Sequence, residues 1–284
     1  MSADAPLLRI PITMCHGTNR GPFFSPAPRW RQRPPLDAAH FDGLMKIAAE
    51  LGFQSISYDE LAAWRAGDGA LPGRPILFDF DHPNTSIYHE IWPVMRGYGF
   101  TGNLFLNTAA MEKHGDRRYM TWDDVRDLAG RGWRIGAHMH HHISLAYLAT
   151  KDPTGGLIRE EMDICDGIIK EQMGIAPADF AYTATTWSSV AESEVKRRYR
   201  FGRLWIIGAH CETEAGRVRY ADLVGVTGAD EADGGPPMAA RYITKDTDAY
   251  RLPSMDFEYL IYQHAAFRRY LEGALDDRAA VSPA

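Results

Sequence analysis

Four of the eleven histidines in this 284-residue chain fall within five positions, as His138, His140, His141 and His142 of the stretch RIGAHMHHHISL. His138 and His142 are four apart, a spacing that puts both on one face of a helix. At the end of a strand, with the second imidazole in the loop beyond, the two can equally converge on one ion. Imidazole is a ligand for zinc, nickel, cobalt and iron. Zinc is the ion to expect, with nickel, cobalt or iron as alternatives. His140 and His141 point elsewhere in either geometry.

A second stretch, ILFDFDHPN (residues 76–84), carries acid where an apolar strand would not tolerate it. In a strand Phe78 and Phe80 share one face and Asp79 and Asp81 the other. Two carboxylates there are costly unless paired, hydrogen-bonded or close to a cation. One of them could instead cap the next helix. His82, immediately after, offers a third nitrogen ligand.

The elements that must position these residues alternate. Apolar strand-like runs occur at LRIPITM (8–14), FQSISY (53–58), RPILFDF (74–80), TGNLFLN (101–107), WRIGAH (133–138), ADFAYTA (178–184) and FGRLWIIGA (201–209). Between them lie helical patterns such as DAAHFDGLMKIAAELG (37–52), with Phe41, Leu44, Met45, Ala48 and Leu51 at helical spacing, and LIREEMDICDGIIKEQMG (157–174). TSIYHEIWPVMRGYG (85–99) predicts a helix strained by Pro93. MDFEYLIYQHAAFRRYLEGALDD (255–277) predicts a closing helix, and residues 211–251, rich in Gly, Asp and Pro, an irregular loop insertion. Such alternation implies parallel βαβ units, in an open doubly wound sheet or a barrel. Either fold gathers its site at the C-terminal strand ends, where both the acidic stretch and the first histidine stand. No internal repeat or boundary divides the chain, so residues 1–284 read as a single domain.

Composition narrows the partners. An apolar fraction of 45% and a charged fraction of 24% are those of a globular protein. A net charge of −6 offers no basic footprint for nucleic acid or an anionic membrane. The N-terminal residues lack the basic and apolar regions of a secretory signal, no run approaches a membrane span, and Cys15, Cys165 and Cys211 are too few for a disulfide framework. A cytoplasmic protein acting on a small molecule or carbohydrate is the expectation, of unassigned oligomeric state.

These stretches resemble the polysaccharide deacetylase family of metal-dependent carbohydrate esterases. Its T-F-D-D-G motif aligns with DFDHP (79–83), and its G-[SN]-H-T-x-x-H motif with GAHMHHH (136–142). YHEIWPVMRGYGFTGNLFLN and MTWDDVRDLAGRGWRIGAH between them are similar to family segments, and ITMCHG resembles a strand that carries a catalytic histidine ahead of the base. The resemblance covers about residues 8–205. It implies a distorted (β/α) barrel of about seven parallel strands and one divalent metal ion. It further implies Asp81 as general base, His82, His138 and His142 as metal ligands, His16 as general acid, and the N–H of Ala184 as an oxyanion donor. Asp79 is then either a residue orienting His16 or a ligand histidine, or the base itself.

Three departures stand out. His82 replaces a metal-binding Asp, Pro83 a glycine, and TAT (183–185) the usual P-Y-G. They imply an altered substrate, with N-deacetylation of an acetamido sugar or small amide as the leading reading. Other metal chemistry, such as cyclic-amide opening or an iron-dependent reaction, is the second, and an inactive barrel serving as a binding module the third. Trp187 and Tyr182 could line a pocket. His210 and Cys211 could approach the same face, and His89, His114 and His264 read as structural or surface.

Overall fold

Seven short runs, all but β4 buried throughout, form the strands of a closed barrel: β1 (Ile10–Cys15), β2 (Pro75–Asp81), β3 (Asn103–Leu106), β4 (Arg134–Ala137), β5 (Asp179–Ala181), β6 (Phe201–Ile206) and β7 (Leu252–Asp256). They belong to a computed structural model that describes residues 8–21, 34–113 and 116–275. Each strand pairs in parallel with the next, and β7 pairs with β1 to close the ring. The closure is uneven, since β4 and β5 share only the register pair Ala137 and Phe180. The expected distorted (β/α) barrel is therefore the fold.

Strand alternation sorts the apolar residues into two layers. Phe78, Phe80, Leu104 and Phe180 pack outward against the helices. Ile12, Leu77, Phe105, Ala181, Phe201 and Leu252 fill the interior, with Tyr58 and Leu61 among them. The helices are α1 (Ala38–Glu50), α2 (Tyr58–Ala66), α3 (Trp92–Gly97), α4 (Trp122–Gly130), α5 (Leu145–Lys151), α6 (Gly156–Met173), α7 (Ser189–Arg198) and α8 (His264–Leu275). Ser57 with Glu60 and Thr121 with Asp124 form capping boxes that fix where α2 and α4 begin. No helix among the described residues is long and apolar enough to cross a membrane.

The expected helix around Pro93 forms, with helical backbone running unbroken over residues 85–97 and a π-helical turn at Ile87–Ile91 leading into α3. The widened turn just before Pro93 accommodates a residue that has no N–H to continue the regular ladder. Two expectations change. The predicted closing helix is strand first, with β7 ending at Asp256 and α8 starting only at His264. Closing the barrel overrides the helical spacing there, and Pro253, a residue rarely found in central strands, conceals the strand. The stretch expected as irregular carries a hairpin (His210–Thr213 with Gly216–Arg219), a helical turn at Tyr220–Leu223 and a strand at Tyr242–Ile243 against β1. Buried Tyr220, Leu223, Ala240 and Ile243, with the Arg219–Asp230 and Arg241–Asp233 ion pairs, hold it.

Gly136 in β4 stands where any side chain would collide. A Cβ there would lie 2.5 Å from the Phe105 ring and 3.0 Å from the Asp179 carbonyl. Gly136→Ala is expected to cost about 1–3 kcal/mol through overpacking. A lowered denaturant midpoint at unchanged slope is the measurement.

Candidate metal centre and active site

The strand ends bring the histidines together. His82 follows β2, and His138 and His142 follow β4. One ring nitrogen from each lies within 4.8 Å of the others, and the ring centroids are 4.5 to 5.2 Å apart. The backbone is bent to do this. The residues other than glycine with positive φ among the described residues are His82 (66°), Met139 (65°), His142 (58°) and Ala184 (55°). Such conformations cost about 1–3 kcal/mol each and tend to persist where a site requires them.

His138 shows that the cluster fits a metal. Its Nδ1–H donates to the Ala181 carbonyl at 2.9 Å, which leaves Nε2 as the lone-pair nitrogen. That Nε2 is buried and has no hydrogen-bond partner. Burial, with the positive Arg203 nearby, lowers the pKa of His138 well below the usual imidazole value, so the ring is neutral as a ligand must be. The Nδ1 of His82 pairs with Asn107 Oδ1 at 2.7 Å, which likewise turns Nε2 toward the cluster. Three imidazoles leave one position of a tetrahedral ion open, a donor set that suits a divalent ion of the zinc type.

The neighbouring histidines of the run are occupied elsewhere. His140 is buried against Thr108 Oγ1 at 2.9 Å, and exposed His141 pairs with Glu161 at 2.7 Å. His89 packs edge-on against Tyr88, and His264 bonds to the His40 carbonyl. His114 lies outside the described residues. His210 is exposed and Cys211 buried in the hairpin, Tyr182 is core, and half-buried Trp187 bonds Glu192 through Nε1; neither His210 nor Cys211 joins the histidine cluster.

Asp81 is 2% exposed, with Oδ2 3.7 Å from His138 Nε2 and Oδ1 bound by Arg203 Nη2. Arg203 comes from β6, so it reaches β2 only across the barrel interior. It is wholly buried and lies over the Phe105 ring at 5.0 Å. His16, at the end of β1, stacks on His82 with centroids 5.2 Å apart. Its Nδ1 is 3.9 Å from Asp256 Oδ2, and Asp256 is itself fixed by Trp205 Nε1 at 2.6 Å and the Glu258 N–H. The loop bearing Ala184 is tied to the His142 loop through Thr183 Oγ1 to the Ile143 carbonyl and Leu145 N–H to Thr186 Oγ1.

Asp79 does not orient His16 or a ligand histidine. It accepts from Tyr58 Oη at 2.7 Å and Asn103 Nδ2 at 3.1 Å, and it pairs with Arg203 Nε at 3.3 Å. Alternation puts it one pleat deeper than Asp81, and Asp256 holds the place beside His16 instead. Burial pushes the Asp79 carboxyl up to about 7, against the opposing pull of Arg203 and of its hydrogen bonds. Sequence reading missed Arg203 and Asp256. The available signal was a lone charge inside each of the apolar runs FGRLWII and LPSMDF.

A family profile described as polysaccharide deacetylase matches residues 68–200. YxkH of Bacillus subtilis (strain 168), provisionally named a polysaccharide deacetylase, is 22% identical over 137 residues, or 48% of this chain. That match spans only 44% of the length of YxkH. The deacetylase PplD of Streptococcus pyogenes, solved in complex with acetate, superposes with a TM-score of 0.60 at 16% identity, covering 74% of this chain and 88% of that one. The BpsB deacetylase domain of Bordetella bronchiseptica gives 0.60 at 17% identity over 90% and 98% of the two chains. At such identities the structural likeness is one of fold.

Proposed function

Because this chain is a divergent member of the polysaccharide deacetylase family, matched through residues 68–200, we propose that it is a metal-dependent hydrolase that removes an acetyl group from an acetamido sugar or another small amide. The observation that carries the reading is the buried, unpartnered Nε2 of His138, facing the point shared with His82 and His142. Those three residues would hold the ion. A divalent ion there supplies Lewis-acid polarisation of the amide carbonyl and acidifies water.

The remaining work falls to the chain itself. Asp81, beside the cluster and steadied by Arg203, takes a proton from the attacking water. The Ala184 N–H donates to the oxyanion as it develops. His16, backed by Asp256, gives a proton to the departing amine. With His82 where the family motif carries a carboxylate, the candidate ligand set holds one negative charge fewer, which would make a bound divalent ion more electrophilic.

The test is acetate and free-amine release from a panel of N-acetylglucosamine oligomers and simple acetamides. Zinc-loaded protein is expected to turn over at least one class, to lose activity on dialysis against a chelator, and to regain it with zinc. Metal-loaded protein that releases acetate from none of them would remove the deacetylase reading.

A further inference from the structure

We propose that Asp79 is a positioning residue: from one tier deeper in the barrel it holds the Arg203 guanidinium, and Arg203 in turn aims Asp81 at the histidine cluster. The inference rests on the deacetylase reading for its kinetic consequence, and on geometry for the rest.

Asp79 and Asp81 project from the same face of β2, about 7 Å apart along the strand. The planar Arg203 fork spans both, with Nε 3.3 Å from Asp79 Oδ2 and Nη2 on Asp81 Oδ1. A guanidinium bridging two carboxylates through different edges has one orientation available. Both oxygens of Asp79 are pinned, Oδ2 by the Tyr58 hydroxyl from α2 and Oδ1 by the Asn103 amide from β3. The anchor is therefore fixed by groups outside the proposed metal site. The contact of Arg203 Nε with Asp79 is an ion pair and not an aligned hydrogen bond, and Nη1 has no hydrogen-bond partner, so the Asp79 charge, the Nη2 bond to Asp81 and the Phe105 ring are what place the guanidinium.

The tier is also costly. Asp79 and Arg203 are both 0% exposed. A tier needed only for stability would be apolar, as is Leu77 two residues earlier among Phe201 and Leu252. A buried carboxylate, tyrosine and asparagine under Asp81 make sense if the orientation of Asp81 is what they secure.

Asp79→Asn is expected to lower kcat at least tenfold on the best substrate of the panel, with KM and bound metal within twofold of wild type. Tyr58→Phe, which removes only the hydroxyl that pins Asp79, is expected to act in the same direction by a smaller factor, and it carries the test if Asp79→Asn fails to fold. In an Arg203→Lys background, Asp79→Asn should change kcat less than twofold, because its effect passes through Arg203. A readout free of substrate and metal is the nitrogen-15 signal of the Arg203 Nη2–H bound to Asp81, which should shift and exchange at least tenfold faster in Asp79→Asn. An unchanged kcat, an unmoved Arg203 signal, or an equal loss in both backgrounds would overturn the proposal. A wild type inactive on the whole panel would sink the deacetylase reading instead, while the Arg203 signal would still decide whether Asp79 is its anchor.

Discussion

Purified protein is expected to carry about one divalent ion per chain, as a three-imidazole site with one open position would, and His138→Ala close to none. Among the three candidate ligands His138 is the most buried, at 1% exposure, and its ring is already fixed by the Ala181 carbonyl. Its removal leaves the two half-buried imidazoles of the cluster, both on residues in left-handed backbone, where few compensating shifts are open. A site reduced to two ligands should also lose turnover by about a thousandfold or more, since the ion polarises the carbonyl and acidifies the water together. His140→Ala is the internal control. It lies in the same run, yet its Nδ1 is committed to Thr108, so its loss should leave the metal in place. Elemental mass spectrometry on the three proteins decides the matter. Equal metal in wild type and His138→Ala, or none in a wild type that also refuses added zinc, nickel, cobalt and iron, would exclude the cluster as the ligand set.

What could be read in the chain follows from how local the signal is. His138 and His142 lie within one short loop and Asp79 and Asp81 within one strand, so spacing alone suggests a shared point or face. Asp79 was legible as sharing a strand face with Asp81 but not as an anchor, because its partners Tyr58, Asn103 and Arg203 come from three different elements. Arg203 and Asp256 are harder still. Each is a single charge in an apolar run, and its meaning depends on a partner 122 residues away for Arg203 and on the His16 ring at the other end of the described chain for Asp256. The missed strand β7 compounds this, because a helix there would leave Asp256 on no particular face. The four residues with positive φ also carry no sequence mark, since none is glycine.

Asp81→Asn is the substitution that separates catalysis from mere binding. The amide keeps the shape of the carboxylate but cannot take a proton from water, and general-base assistance is worth about 10²–10⁴ in rate. Turnover is therefore expected to fall by roughly a thousandfold within that range, with metal content unchanged and the dissociation constant for an acetamido ligand within twofold by calorimetry. A barrel that only binds would show the same calorimetry and no rate to lose in the wild type. A variant that keeps more than about a tenth of wild-type turnover, well outside the range for a lost base, would take the base away from Asp81. The other carboxylate on that face is Asp79, but it is wholly buried, with one oxygen on Tyr58 and the other on Asn103. Water reaching it would have to pass Asp81 and Arg203 first. A surviving Asp81→Asn enzyme would thus require the whole tier beneath the cluster to open, and the Arg203 signal would report that opening directly.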